Sequence, residues 1–130
     1  MIQDDMTGFL FTEDTFPSRD QSRVVRIPAG IISKRQLLAH LALGLDFPNY
    51  FGWNWDALEE CLRDLAWIES PRSIVIVHED LPLVGEPDEA ATYVSILKDA
   101  AAAWSPSQPH DLEIAFPLHC RLAIQNSISG

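Results

Sequence analysis

The run Ile74-Val75-Ile76-Val77 does most to limit what this chain can fold into. Four β-branched residues in succession suit a strand, where each side chain stands off the pleat instead of crowding a helical turn. The run lacks alternation, so the strand is expected to be covered on both faces, as in a parallel sheet flanked by helices. Two more segments read as strands. Arg23-Val24-Val25-Arg26-Ile27 is closed by Pro28-Ala29-Gly30, and Leu112-Glu113-Ile114-Ala115-Phe116 alternates. Segments with helical periodicity separate them. The order strand, helices, strand, helix, strand predicts a small α/β fold with right-handed crossovers and a three-stranded, mostly parallel sheet packed by helices.

Local signals place the helices. Ser33 offers an N-cap with Gln36 three residues on, and Leu37, Leu38, Leu41 and Leu45 follow at helical spacing, with Gly44 as a stop. Asn54 caps a second helix whose first turn carries Asp56, favourable at the positive end of the helix dipole. Its apolar stripe is Trp55, Leu58, Leu62 and Leu65, with Cys61 beside it, and Asp56, Glu59, Glu60, Arg63 and Asp64 take the other side. Pro87-Asp88-Glu89 opens a third helix with an inner face of Ala90, Tyr93, Val94, Leu97, Ala101 and Trp104, stopped by Pro106 and Pro109. Both ends of the chain offer one more strand. The first is at residues 7–12 around Phe9-Leu10-Phe11. The second is at Cys120-Arg121-Leu122-Ala123-Ile124, which alternates and would return as a hairpin through Pro117-Leu118-His119.

Charge narrows the function. The chain of 130 residues carries a formal net charge of −10. Its first 35 residues balance five acids against five bases, so the excess lies beyond Arg35, where fourteen acids face Arg63, Arg72, Lys98 and Arg121. Such a field repels phosphate backbones and attracts basic partners, so direct nucleic-acid binding is not expected. No apolar stretch is long enough to cross a membrane. The acidic start Met1-Ile2-Gln3-Asp4-Asp5 is unlike a signal peptide, and Cys61 and Cys120 have no metal-type spacing. Both features predict a cytoplasmic protein with small core thiols.

Residues 46–69 hold six acids against one base, and Tyr50-Phe51-Gly52-Trp53-Asn54-Trp55 sets four aromatics around a glycine just ahead of the acidic helix. Rings beside carboxylates suit a cationic partner that the rings can cover. Patterning leaves a second reading open, in which the acids are a solvated outer face and Trp55 is core.

The segment Phe47-Pro48-Asn49-Tyr50-Phe51-Gly52-Trp53-Asn54-Trp55-Asp56-Ala57-Leu58-Glu59-Glu60-Cys61-Leu62 resembles the signature of barstar-type ribonuclease inhibitors: Pro, an aromatic pair, Gly, then Asn-x-Asp-Ala-Leu. The likeness runs back through Leu37 and Leu41 and forward through Trp67-Ile68-Glu69 to the strand at 74–77; the later helix and strand fit by order and length. It spans residues 23–118, leaving 1–22 and 119–130 as extensions, each a candidate for an added strand. The resemblance implies a barstar-like fold and inhibition by occlusion, with loop and helix plugging the active site of a basic ribonuclease or toxin nuclease. Helix carboxylates would then stand where RNA phosphates bind. It implies no enzymatic activity, cofactor or metal, and no membrane partner.

Carried over by position, Tyr50 stacks on the partner, Gly52 and Asn54 shape the loop, and Asp56 and Glu60 are the charged anchors. Asp99 matches an accessory carboxylate, and Trp67 with Ile68 forms the far rim. Tyr50 reads equally well as core, Asn54 as a cap, and Trp53 as an exposed ring ahead of the helix. Three departures point away from barnase itself as the partner. Glu60 stands where the family has its principal aspartate, Glu59 replaces a tryptophan, and two extra residues lengthen the link between Leu62 and Trp67. The resemblance also implies a cis bond at Ser70-Pro71.

Two rivals remain. His78-Glu79-Asp80 follows a strand, where α/β enzymes often place their sites, although His40, His110 and His119 are scattered and no phosphate loop or nucleophile elbow is present. Alternatively the fold serves to bind an unrelated basic protein.

Overall fold

The computed structural model describes residues 9–12, 22–70, 72–105 and 107–129. Four strands, β1 (Phe9–Thr12), β2 (Ser22–Ile27), β3 (Ser73–His78) and β4 (Asp111–Pro117), form one sheet in the order β1-β4-β3-β2, and every pair is parallel. Four helices, α1 (Lys34–Gly44), α2 (Trp55–Asp64), α3 (Pro87–Ala103) and α4 (Arg121–Ser129), accompany it, and a single 3₁₀ turn, Leu118–Cys120, leads into the last. This is the small α/β class expected, with a fourth strand added. Of the strand expected at 7–12, residues 7 and 8 lie outside the described residues, as does Pro71 and with it the expected cis bond. No helix among the described residues is long and apolar enough to cross a membrane.

β3 is the inner strand that its composition predicts. Ile74 and Ile76 point into the main core with Leu112, Ile114 and Phe116, while Val75 and Val77 join Val24 and Ala115 on the opposite face. Both sets are buried, so neither face could tolerate an alternating pattern.

The strand expected at Cys120–Ile124 is instead α4. β4 already has β3 on one side and β1 on the other, with Phe9 opposite Ile114 and Phe11 opposite Phe116, so it offers no edge to a returning hairpin. The apolar residues at 120, 122 and 124 fit either period. In the helix Cys120 and Ile124 share the buried side one turn apart, and Leu122 is 68% exposed. The inner face of α3 is also wider than expected. Ile96 and Ala100 are buried with Ala90, Tyr93, Val94 and Leu97, whereas Ala101 and Trp104 are only partly buried. α3 meets α2, α4 and β4 at once, and three neighbours need a broader apolar stripe than one.

α1 starts and stops as its sequence indicates. The Ser33 side chain accepts the Gln36 N–H, and the Gln36 side chain accepts the N–H of Ile32. At its other end Gly44 lies against β2: a Cβ added there would sit 2.6 Å from Val25 Cγ1. Gly44→Ala is therefore expected to lower stability by about 1–3 kcal/mol through overpacking. Val25→Ala in the same chain should make the substitution at Gly44 less costly. Urea unfolding of the four proteins in that cycle checks both statements; additive losses would show that the helix moves away without strain.

Candidate functional site

The aromatic run ahead of α2 divides into an inner and an outer set. Phe51 is buried and packs on Phe47 at a centroid distance of 4.8 Å, and the edge of Trp67 meets Phe47 at 5.9 Å. Trp67 Nε1 donates to the Leu45 carbonyl at 2.8 Å, which fixes this inner spine to the end of α1. The implied rim of Trp67 and Ile68 thus turns inward: Trp67 is partly buried and Ile68 is core. With the spine anchored, Tyr50 stands 70% exposed and Trp53 41% exposed. Of the two readings open for Tyr50, the core one is excluded.

Trp53 takes a left-handed backbone (φ 56°), a conformation costly for an aromatic residue. The Arg35 guanidinium lies 5.0 Å from its ring centroid, and Lys34 Nζ lies 5.3 Å from that of Trp55. Trp55 is partly buried and its Nε1 donates to Glu89 at 2.9 Å, tying the start of α2 to α3. Asn54 is the helix cap, accepting the Ala57 N–H at 2.7 Å. At Gly52 an added Cβ would meet nothing closer than 3.4 Å, so the fold itself does not require glycine there.

α2 buries Leu58, Cys61 and Leu62 and turns its acids outward. Glu59 pairs with Arg63 at 3.2 Å. Asp56, Glu60 and Asp64 follow one another at single-turn spacing along the exposed side, and none makes an ion pair among the described residues. Local desolvation, then the negative charges of Asp64 and Glu60 with the Cys61 sulfur between them, push the Tyr50 hydroxyl pKa up. Exposed Tyr50 therefore lies near the Glu60 and Asp64 end of the acidic row. Asp99 is exposed on α3. Sequence reasoning placed Asp64 on this face without weighing it as a site residue, although its position one turn beyond Glu60 was the available signal. It missed the cations over the two indoles, which are brought together from 18 and 21 residues away with no local signature.

The triplet His78-Glu79-Asp80 of the enzyme rival does not converge on one site. His78 is 3% exposed, with Nδ1 2.9 Å from the Ala115 carbonyl and Nε2 2.6 Å from the Tyr93 hydroxyl. A carbonyl can only accept, so Nδ1 carries the proton and Nε2 accepts from Tyr93. Burial pushes the His78 pKa down to about 4, only partly opposed by that carbonyl, and its ring stacks on Phe116. Glu79 is exposed, and Asp80 turns toward His119 and Cys120. His110, also buried, bridges the carbonyls of Ile68 and Arg72. Burial, then Glu60 and Asp64, raise the Cys61 thiol to about 11, so it is no nucleophile at neutral pH.

A family model described as Barstar (barnase inhibitor) matches residues 23–121. No curated protein and no solved structure is matched.

Proposed function

The chain belongs to the barstar family, and on that premise we propose that it is a protein inhibitor that occludes the active site of a basic ribonuclease or toxin nuclease. The observation that carries this is the row Asp56, Glu60 and Asp64, exposed and unpaired among the described residues, with Tyr50 near its Glu60 and Asp64 end. Three carboxylates one turn apart offer acceptors for the arginines and lysines that a nuclease uses to hold phosphates. Tyr50 and Trp53 supply ring surface next to them, and Gly52 leaves the backbone open to close approach. Asn54 acts by capping α2 and thereby aiming Asp56. Glu59 is held by Arg63, Asp99 on α3 would serve as an accessory carboxylate, and Trp67 supports the loop from beneath. β1 and most of α4 lie outside the matched residues and are additions to the family's core. Cytoplasmic action as an immunity protein follows from the same reading.

Glu60 and Glu59, in place of the family's aspartate and tryptophan, favour a nuclease other than barnase. One more methylene displaces a carboxylate by about a bond length, enough to unpair a desolvated charge. The test is capture of partners from the chain's own cell on the immobilised protein. A basic nuclease is expected, silenced by one equivalent of the chain, with an association rate that falls steeply as salt rises. A recovered partner without nuclease activity, or a nuclease still active when saturated, would overturn inhibition and leave a binding domain for some other basic protein.

A further inference from the structure

In a parallel sheet the chain leaves every strand at the same edge, so residues that follow different strands are brought together there. Asp80 follows β3, and His119 and Cys120 lie on the turn that follows β4. Asp80 Oδ1 is 3.3 Å from His119 Nε2 and 3.5 Å from Cys120 Sγ, and the three donor atoms all lie within 4.8 Å of one another. The same Oδ1 accepts the Leu81 N–H at 2.8 Å, which fixes the orientation of the carboxylate.

The two separations from Asp80 are those of ligands around one ion, and the imidazole nitrogen and the sulfur lie within 4.8 Å of each other. Zinc takes carboxylate oxygen and imidazole nitrogen at about 2.0–2.2 Å and thiolate sulfur at about 2.3 Å, so a tetrahedral site spaces oxygen from nitrogen by about 3.4 Å and oxygen from sulfur by about 3.6 Å. The donor set is equally selective: a thiolate disfavours magnesium and calcium, a carboxylate disfavours copper(I), and mixed N, O and S ligands suit zinc. We propose that Asp80, His119 and Cys120 form a zinc(II) site at the carboxyl edge of the sheet, with the fourth tetrahedral position left to water. The hydrogen bonds from His119 and Cys120 to Asp80 pre-assemble the donors before the ion arrives. The ion enters by displacing the Cys120 thiol proton to solvent while sulfur keeps its electron pair, and His119 gives up its Nε2 proton to solvent as Nδ1 takes one up, which frees the Nε2 lone pair for the metal. Cys120 is buried and His119 exposed, so the site opens to solvent on one side.

The site is independent of the inhibitor reading, and its test uses the full, tag-free, reduced chain with cobalt(II) and zinc(II) alone. One equivalent of cobalt should produce a thiolate-to-metal charge-transfer band that one equivalent of zinc abolishes. His119→Ala, a change at an exposed side chain, should weaken zinc at least about 10-fold, and Asp80→Asn should do likewise, each with an unchanged circular dichroism spectrum. Cys120→Ser should remove the band and Cys61→Ser should keep it. Absence of the band in the folded protein, undiminished zinc binding by His119→Ala, or a band lost with Cys61→Ser would overturn the assignment.

Discussion

Replacing Asp56 and Glu60 together by alanine is expected to weaken the hold on the captured nuclease by about 10³-fold or more while leaving the fold intact. Truncating one member of a desolvated charge pair in an interface costs on the order of 2–5 kcal/mol, a range that includes the barnase–barstar pair itself and is borrowed from it. Two such losses at the lower end reach about 4 kcal/mol, or about 10³. Much of that cost is the penalty of leaving the nuclease's own cations buried without a partner. Neither carboxylate supports the chain's own structure: both are exposed and neither makes an ion pair among the described residues. Asp56 contributes only its interaction with the helix dipole, about 0.3–1 kcal/mol, and Asn54 still caps the helix. Inhibition titrations give the affinity and thermal unfolding the control. Glu59→Ala should cost much less, since Glu59 already answers Arg63 and only exchanges one solvated pair for water. Equal affinity of the well-folded double variant and the wild type would remove α2 from the interface.

What could be read in the sequence divides by range. Caps and periodicity are local, so Ser33 with Gln36, and Asn54 with the stripe of Leu58, Leu62 and Leu65, located α1 and α2 closely. The unbroken β-branched run made β3 the inner strand, and parallel pairing of β2, β3 and β4 followed because helical segments join β2 to β3 and β3 to β4. The failure at 120–124 is one of competition for an edge. Cys120, Leu122 and Ile124 satisfy two periods, and whether β4 has a vacant side depends on β1, more than a hundred residues earlier. At the site, the acidic row could be read because a helix repeats its faces every turn. The division of the rings could not: Phe51 is core and Tyr50 is not because Phe47 and Trp67 close over one side of the loop only. Asp80 and His119 stand 39 residues apart, so no spacing rule finds them, whereas a shared sheet edge brings them within hydrogen-bonding distance.

Between pH 6.5 and 4 the protein is expected to lose about 3 kcal/mol of stability through His78 alone. The unfolded chain binds a proton there near pH 6.5, whereas the buried ring binds one only near pH 4. In that window the unfolded state therefore holds more protons than the native state, so stability rises with pH across it. The contribution is complete above about pH 6.5, shrinks as pH falls, and is gone below about pH 4. Its size follows from the interval at 1.36 kcal/mol per unit, and for a domain of this length it corresponds to a fall in Tm of roughly 10 °C. The cause is structural. His78 is 3% exposed, and its Nε2 accepts from Tyr93, so protonation both charges a dry site and makes Nε2 a donor facing a hydroxyl that must then rotate to accept. Carboxylates also titrate below pH 5, Asp80 among them, so the wild-type curve alone does not isolate the ring. The double variant His78→Leu and Tyr93→Phe removes the titrating group and the hydroxyl that would be left unpaired, at nearly constant volume. Its stability should be nearly flat from pH 6.5 to 5, where the wild type already declines, and should then fall in step with the carboxylates. Unfolding curves of the two proteins that run parallel across that interval would show that His78 takes up its proton in the folded state as easily as in the unfolded one.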